Sequence, residues 1–301
     1  MKIIKVVLLV FLLVSLGSCS REKQLGSKQN PVKMYFVPSM EAGTIITSAQ
    51  RIADYLEEMT GYHYKVAVPT SYASVIEALG TEETDIAWLA TFAYILANEK
   101  FGAEVALTTI RKGLAKYRGQ FVTQTKSDIK TLEDIDGKVI AYTDAASTSG
   151  YMYPSALLKQ KNIKPKNSFF AGGHPQAILA VYQGRADVGC TFWSPPGENG
   201  EIHDARRAVL DTHPDVVEKV RIVDYTDWIP NDTVTFRKNF PPAMREKIVK
   251  ALIDFANTAE GHNTLVELFD IDNFIKAKDS DYDIVRNTIK ALEADVSDYI
   301  Q

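Results

Sequence analysis

Between Asp144 and Pro154 the chain reads DAASTSGYMYP, with three hydroxyl side chains in succession at Ser147, Thr148 and Ser149. Each hydroxyl can donate one hydrogen bond and rotate to meet an acceptor, which suits the oxygens of a tetrahedral anion. The apolar run KVIAYTD precedes this stretch, and GYMYPSALLKQKN opens with helical character, so the hydroxyls fall at a helix N-terminus. That position adds unpaired backbone N–H groups and a partial positive charge. Gly150 allows close approach of the backbone. An anion held here would need no lysine or arginine, which suits a site that must release its cargo. On residue types alone, the same string also reads as a helix N-cap with redundant hydroxyls.

Other reactive constellations are missing from the sequence. The histidines at 63, 174, 203, 213 and 262 form neither HExxH nor another metal-ligand spacing. No serine sits in a GxSxG elbow, and no GxxxxGK[ST] phosphate loop occurs. Capture without catalysis, cofactor or metal is therefore the expectation.

The ends and the charge set the context. The formal net charge of −4 leaves no basic footprint for nucleic acid. Residues 1–19 carry two lysines and then an apolar run from Val6 to Leu16, too short to span a membrane and suited to a signal peptide. Leu16-Gly17-Ser18-Cys19 has the form of a lipobox, so Cys19 is the expected lipidation site and the chain an extracytoplasmic, lipid-anchored one, on the outer face of the cell membrane or in the periplasm. Residues 20–31 are polar and aperiodic and read as a flexible tether. Cys190, in the apolar run ADVGCTF, is the only other cysteine and reads as a small core residue without a disulfide partner.

Elements that could position the hydroxyls alternate along the chain. Strands are expected at 33–39, 64–69, 84–90 and 104–110, with helices over 43–59, 71–80 and 91–102 between them. The rhythm repeats with strands at 138–144, 168–173, 186–193 and 220–226, and helices from 150 and 175. Residues 201–218 read as helix or loop, and two amphipathic helices close the chain, over 241–258 and 281–298. Alternation predicts largely parallel sheets covered by helices, with ligands bound outside the carboxyl ends of the strands.

Several segments, in this order, resemble the phosphate/phosphite/phosphonate-binding proteins of ABC transporters: FVPS, TSYASVIEALGTEETDIAWLATFAY, KTLEDIDGKVIAYTDAASTSGYMYP, GGHPQAILAVYQGRADVG and DWIPNDTV. The resemblance implies an α/β, two-lobed periplasmic-binding-protein fold, type II-like, closing by a hinge on a ligand in the inter-lobe cleft. Lobe 1 would comprise 32–115 with 238–301, and lobe 2 would comprise 116–237. It implies ligand contacts from Ser147, Thr148 and Ser149, from Tyr72 and Tyr117, from His174 as a donor to the anion, and from Asp232. The cargo would be a small phosphonate, phosphite or phosphate-type oxyanion, passed by a monomer to a membrane permease and its ATPase. A membrane sensor would carry the same site, and an enzyme on this fold is the remaining alternative.

One departure from that pattern concerns selectivity. Members that take aminoalkylphosphonates place a carboxylate shortly after the strand read here as DVGCTFW. This chain has Trp193-Ser194-Pro195-Pro196 there, and Glu198 only later. A primary amine would lack that charge partner, so 2-aminoethylphosphonate is not the expected ligand. Trp193 would pack on an alkyl group, face a quaternary ammonium or plug the lobe. Trp88, at an apolar strand end, reads as core.

Overall fold

A computed structural model describes residues 23–197 and 199–291. The signal, Cys19, Glu198 and the last turns of the 281–298 helix lie outside those residues. The chain begins with β1 (Val32–Phe36), α1 (Ala42–Thr60), β2 (Tyr64–Ala67), α2 (Tyr72–Gly80), β3 (Ile86–Leu89), α3 (Thr91–Phe101) and β4 (Glu104–Ile110). Local chemistry sets these boundaries. Glu41 accepts the Thr44 N–H at 2.8 Å to start α1, and Gly61, at φ 69°, ends it. Ile45, Ala49, Ile52 and Leu56 bury one face of the helix on the sheet.

The second unit comprises β5 (Lys116–Gln124), β6 (Val139–Tyr142), α4 (Tyr153–Gln160), β7 (Asn167–Phe170), α5 (His174–Tyr182), β8 (Val188–Trp193), α6 (Val216–Lys219) and β9 (Val220–Pro230). The chain then returns through β10 (Thr233–Phe236), α7 (Pro242–Ala256), α8 (Ala259–Phe269), β11 (Asn273–Lys276) and α9 (Asp283–Ala291). Two sheets result, ordered β11-β4-β10-β3-β1-β2 and β7-β6-β8-β5-β9. These sheets are mixed, which corrects the expectation of largely parallel ones. Within each, three strands run parallel, while β10 and β11 in the first and β5 and β9 in the second make antiparallel pairs.

Two crossings join the lobes, and the second differs in detail from the sequence reading. The return crossing precedes Thr233, because β10 pairs with β3 and β4 of the first sheet; residues 233–236 thus leave lobe 2. Asn231 is fully buried there. Its amide donates to Thr109 O and Leu114 O at 2.9 Å, and its N–H to Ala115 O at 3.0 Å, stitching the two crossings together. The expected tether is also shorter than 20–31. Gly26 and Asn30 close a turn whose Gly26 carbonyl accepts the His63 N–H at 2.8 Å, and Leu25 packs on the first lobe. Cys190 is a free, fully buried core residue of the second sheet.

Candidate ligand-binding cleft

Where the carboxyl ends of β1, β3 and β4 face the hydroxyl turn and the start of α5, the lobes enclose a cavity of about 270 Å³. Contacts across this seam are specific. The His174 N–H donates to Ser39 O at 3.2 Å, and the Tyr72 N–H donates to the Asp144 carboxylate. Burial raises the Asp144 pKa, while that N–H and the Ala146 N–H, at 2.8 Å, oppose the shift.

Ser147 caps a single π turn, Thr148–Met152, which carries the other two hydroxyls and runs directly into α4. Helical winding therefore begins before Gly150. Gly150 is required by space: a Cβ there would run into the Thr143 side chain. The three hydroxyls divide their work. Ser147 and Ser149 line the cavity. Ser147 Oγ also accepts the Gly150 N–H at 3.1 Å, so this cavity-lining residue is the N-cap of the turn. Thr148 is outside the lining, and its Oγ1 accepts the Phe92 N–H at 2.7 Å. Since α3 has no side-chain cap of its own, Thr148 caps it from the other lobe. The N–H groups of Thr148 and Ser149 begin the turn and have no acceptor among the described residues.

Both expected tyrosines reach the cavity as neutral donors. Tyr72, the first residue of α2, is 1% exposed and its hydroxyl meets Ser39. Burial, with Asp144 and Asp232 nearby, pushes its pKa well above the ordinary value. Tyr117 on β5 is shifted upward by burial too, and its hydroxyl lies within reach of Ser149 and Thr148. Gly119, two residues on, permits that proximity: a Cβ there would sit 2.8 Å from Ser149 O.

His174 lines the cavity, with Nδ1 3.3 Å from Thr143 Oγ1 and its ring edge-on to Phe192 at 4.8 Å. Burial first, then Arg111, lowers its pKa to about 3, so the imidazole is neutral. Asp232 also lines the cavity, but Arg111 Nη2 holds its carboxylate at 2.6 Å. Arg111 Nε donates to Phe269 O at 2.8 Å, which fixes the pair against the wall.

Sequence reading missed Arg111, although a cation just beyond β4 is a recognisable signal at a strand's carboxyl end. It also missed Phe192, His203 and Asp270, which line the cavity. Trp193 does not. Alternation along β8 turns Phe192 inward and sets Trp193 edge-on to Tyr225, with ring centroids 5.0 Å apart. Trp88 is 3% exposed, packs in the first-lobe core beside Phe36, and reaches the cavity with one edge. Among the described residues no cluster could hold a metal ion.

Two mixed α/β lobes joined by paired crossings, with donors from both converging on one cavity, define a two-lobed substrate-binding protein. A family profile described as "ABC transporter, phosphonate, periplasmic substrate-binding protein" matches residues 34–282, and the chain belongs to that family, one of transporter components and not of enzymes. It is 28% identical over 170 residues to the phosphate-import protein PhnD of Mycolicibacterium smegmatis, covering 52% of this chain and 53% of that one. It is 24% identical over 221 residues to the phosphonates-binding periplasmic protein of Escherichia coli, covering 71% of this chain and 62% of that protein. The match thus spans between half and two thirds of these relatives.

Solved structures carry the same fold. A binding protein component of a Pseudomonas aeruginosa phosphonate ABC transporter superposes with a TM-score of 0.76 at 19% identity, covering 89% of this chain and 86% of that one. PhnD1 from Prochlorococcus marinus, in complex with methylphosphonate, superposes with a TM-score of 0.74 at 16% identity, covering 87% of this chain and 98% of that one.

Proposed function

We propose that this protein captures a small phosphorus oxyanion outside the cytoplasm and delivers it to an ABC permease and its ATPase, as a monomer lipidated at Cys19. The observation that carries this reading is the convergence of neutral donors from both lobes on one end of the cavity: Ser147, Ser149 and Tyr117 from the second lobe, and Tyr72 from the first. The cations near this end are already engaged, Arg111 by Asp232. The anion is held by oriented dipoles in a closed, low-dielectric cleft, where each hydrogen bond is stronger than in water. Opening the lobes restores solvent and weakens the same bonds, which makes the cargo releasable.

Phosphonate, phosphite and phosphate share this chemistry; an aminated phosphonate fits it less well. Asp232 is a carboxylate of the cavity wall, and its pairing with Arg111 leaves it unavailable to a ligand ammonium. Isothermal titration of protein unfolded and refolded to remove carried-over ligand tests the reading, with phosphate, phosphite, methylphosphonate and 2-aminoethylphosphonate as probes. Tight binding of one of the first three, with the aminated compound weaker, is the expected result. Absence of heat from all four, on protein shown to be folded, would overturn the ligand class.

A further inference from the structure

The hydrogen-bond polarity of His174 is fixed by its neighbours. Thr143 has a single hydroxyl proton, and it donates to Cys190 O at 3.1 Å. Toward His174 Nδ1, 3.3 Å away, Thr143 Oγ1 can then only accept. Nδ1 therefore carries the proton. In a neutral imidazole that leaves Nε2 as an acceptor without a proton to give. Nε2 has no partner among the described residues, and His174 is 5% exposed on a side chain that lines the cavity. An edge-on Phe192 ring, its plane at 84° to the imidazole, holds the orientation. With that tautomer His174 would accept a hydrogen bond from the anion, where the sequence suggests that it donates one.

We propose that the site selects the singly protonated monoanion of its ligand, with the P–OH proton donated to His174 Nε2 and the unprotonated oxygens received by the hydroxyl turn and the two tyrosines. This rests on the phosphorus-oxyanion reading above. A second observation agrees with it. Arg111, the cation nearest the oxyanion end, is neutralised by Asp232 at 2.6 Å, so no free positive charge is available to offset a second negative one. Bringing a dianion into such a cleft costs more desolvation than bringing a monoanion. It would also set an unprotonated oxygen against the Nε2 lone pair. The proton balance is simple: above the ligand's second pKa, one proton is taken from solvent for each ligand bound.

Several ionisable groups face His174 or line the same cavity. Burial raises Cys190, Tyr72 and Tyr117. Asp144 lies across the seam beside the Tyr72 N–H, and Arg111 with Asp232 forms the wall behind Tyr117. Farther along the cavity, Asp204 is paired with Arg206 at 2.7 Å and Asp270 with His203 at 3.0 Å. A test must therefore separate titration of the protein's own groups from that of the ligand.

Titration calorimetry of the wild-type protein from about pH 5.5 to 9, with methylphosphonate and with the more acidic phosphite, makes that separation. Two buffers of different ionisation enthalpy count the protons. The affinity should fall about tenfold per pH unit above a break that lies at each ligand's own second pKa, lower for phosphite, with uptake approaching one proton per ligand. His174→Gln, whose amide can turn either its donor or its acceptor to the ligand, should flatten that slope. A break at the same pH for both ligands, or an affinity that rises through the ligand's pKa without proton uptake, would overturn the inference while leaving the oxyanion reading standing. Failure of both ligands to bind at any pH would instead remove that reading.

Discussion

Thr148→Val replaces one oxygen at the seam between the lobes with a methyl group of nearly the same volume. In the closed structure that oxygen accepts the Phe92 N–H at 2.7 Å, in a fully buried position. Valine removes this acceptor from a buried N–H, a loss that costs about 1–3 kcal/mol. In an open form the same N–H, at the start of α3, meets water. The penalty therefore falls on closure alone, and about 1.5–2 kcal/mol corresponds to roughly 10–30-fold weaker binding. The loss should be the same for every ligand that requires closure, since Thr148 is not part of the cavity lining. Thr148→Ser, which keeps the oxygen, should stay close to wild type. The assay pairs methylphosphonate and phosphite titrations with the melting temperature of the ligand-free protein. Wild-type affinity in the valine variant would refute the reasoning. So would a stability loss in the ligand-free protein as large as the binding loss, because the bond would then belong to the fold and not to closure.

Two other perturbations follow from the same geometry. The His174 pKa is held near 3 in the fold against an ordinary 6.5, so below pH 6.5 the unfolded chain binds one more proton, and stability declines as pH falls toward 3. The slope is about 1.4 kcal/mol per unit, or roughly 2–3 kcal/mol by about pH 4.5, and His174→Gln should remove that share in urea unfolding at the two pH values. An unchanged acid sensitivity would show that His174 is not buried neutral. Gly150→Ala forces a methyl group into the Thr143 side chain, an overpacking that costs about 1–3 kcal/mol, and it should displace the hydroxyl turn enough to weaken methylphosphonate binding. Full retention of both stability and affinity would mean that the turn tolerates a shift the site should not.

Much of the cleft could be read from the sequence because its residues lie where chemistry and element boundaries coincide. The hydroxyls follow an apolar strand and precede a helix, Tyr72 follows a serine cap, and His174 follows two glycines at a helix start. Each reaches the cavity wall or, for Thr148, the seam beside it. What stayed hidden is pairing across distance. Arg111 and Asp232 are 121 residues apart in sequence and meet only because β10 returns beside β4. The strands that make the sheets mixed were hidden too. β5, KYRGQFVTQ, interleaves cations, glycine and glutamines with its apolar residues, while β10 and β11 are only four residues each. Such short or polar strands are recognisable mainly by the partners they find. Which hydroxyl does which work could not be read at all: Thr148 and Ser149 are alike in type, yet Ser149 lines the cavity and Thr148 caps α3.

The most direct test of the central claim is a crystal structure of the protein with methylphosphonate. The account predicts the phosphonate oxygens within hydrogen-bonding distance of Ser147, Ser149, Tyr72 and Tyr117, with one oxygen on His174 Nε2 and Arg111 still engaged with Asp232. A ligand seated elsewhere in the cleft, or one that draws Arg111 away from Asp232 to form a salt bridge with the phosphonate, would contradict it.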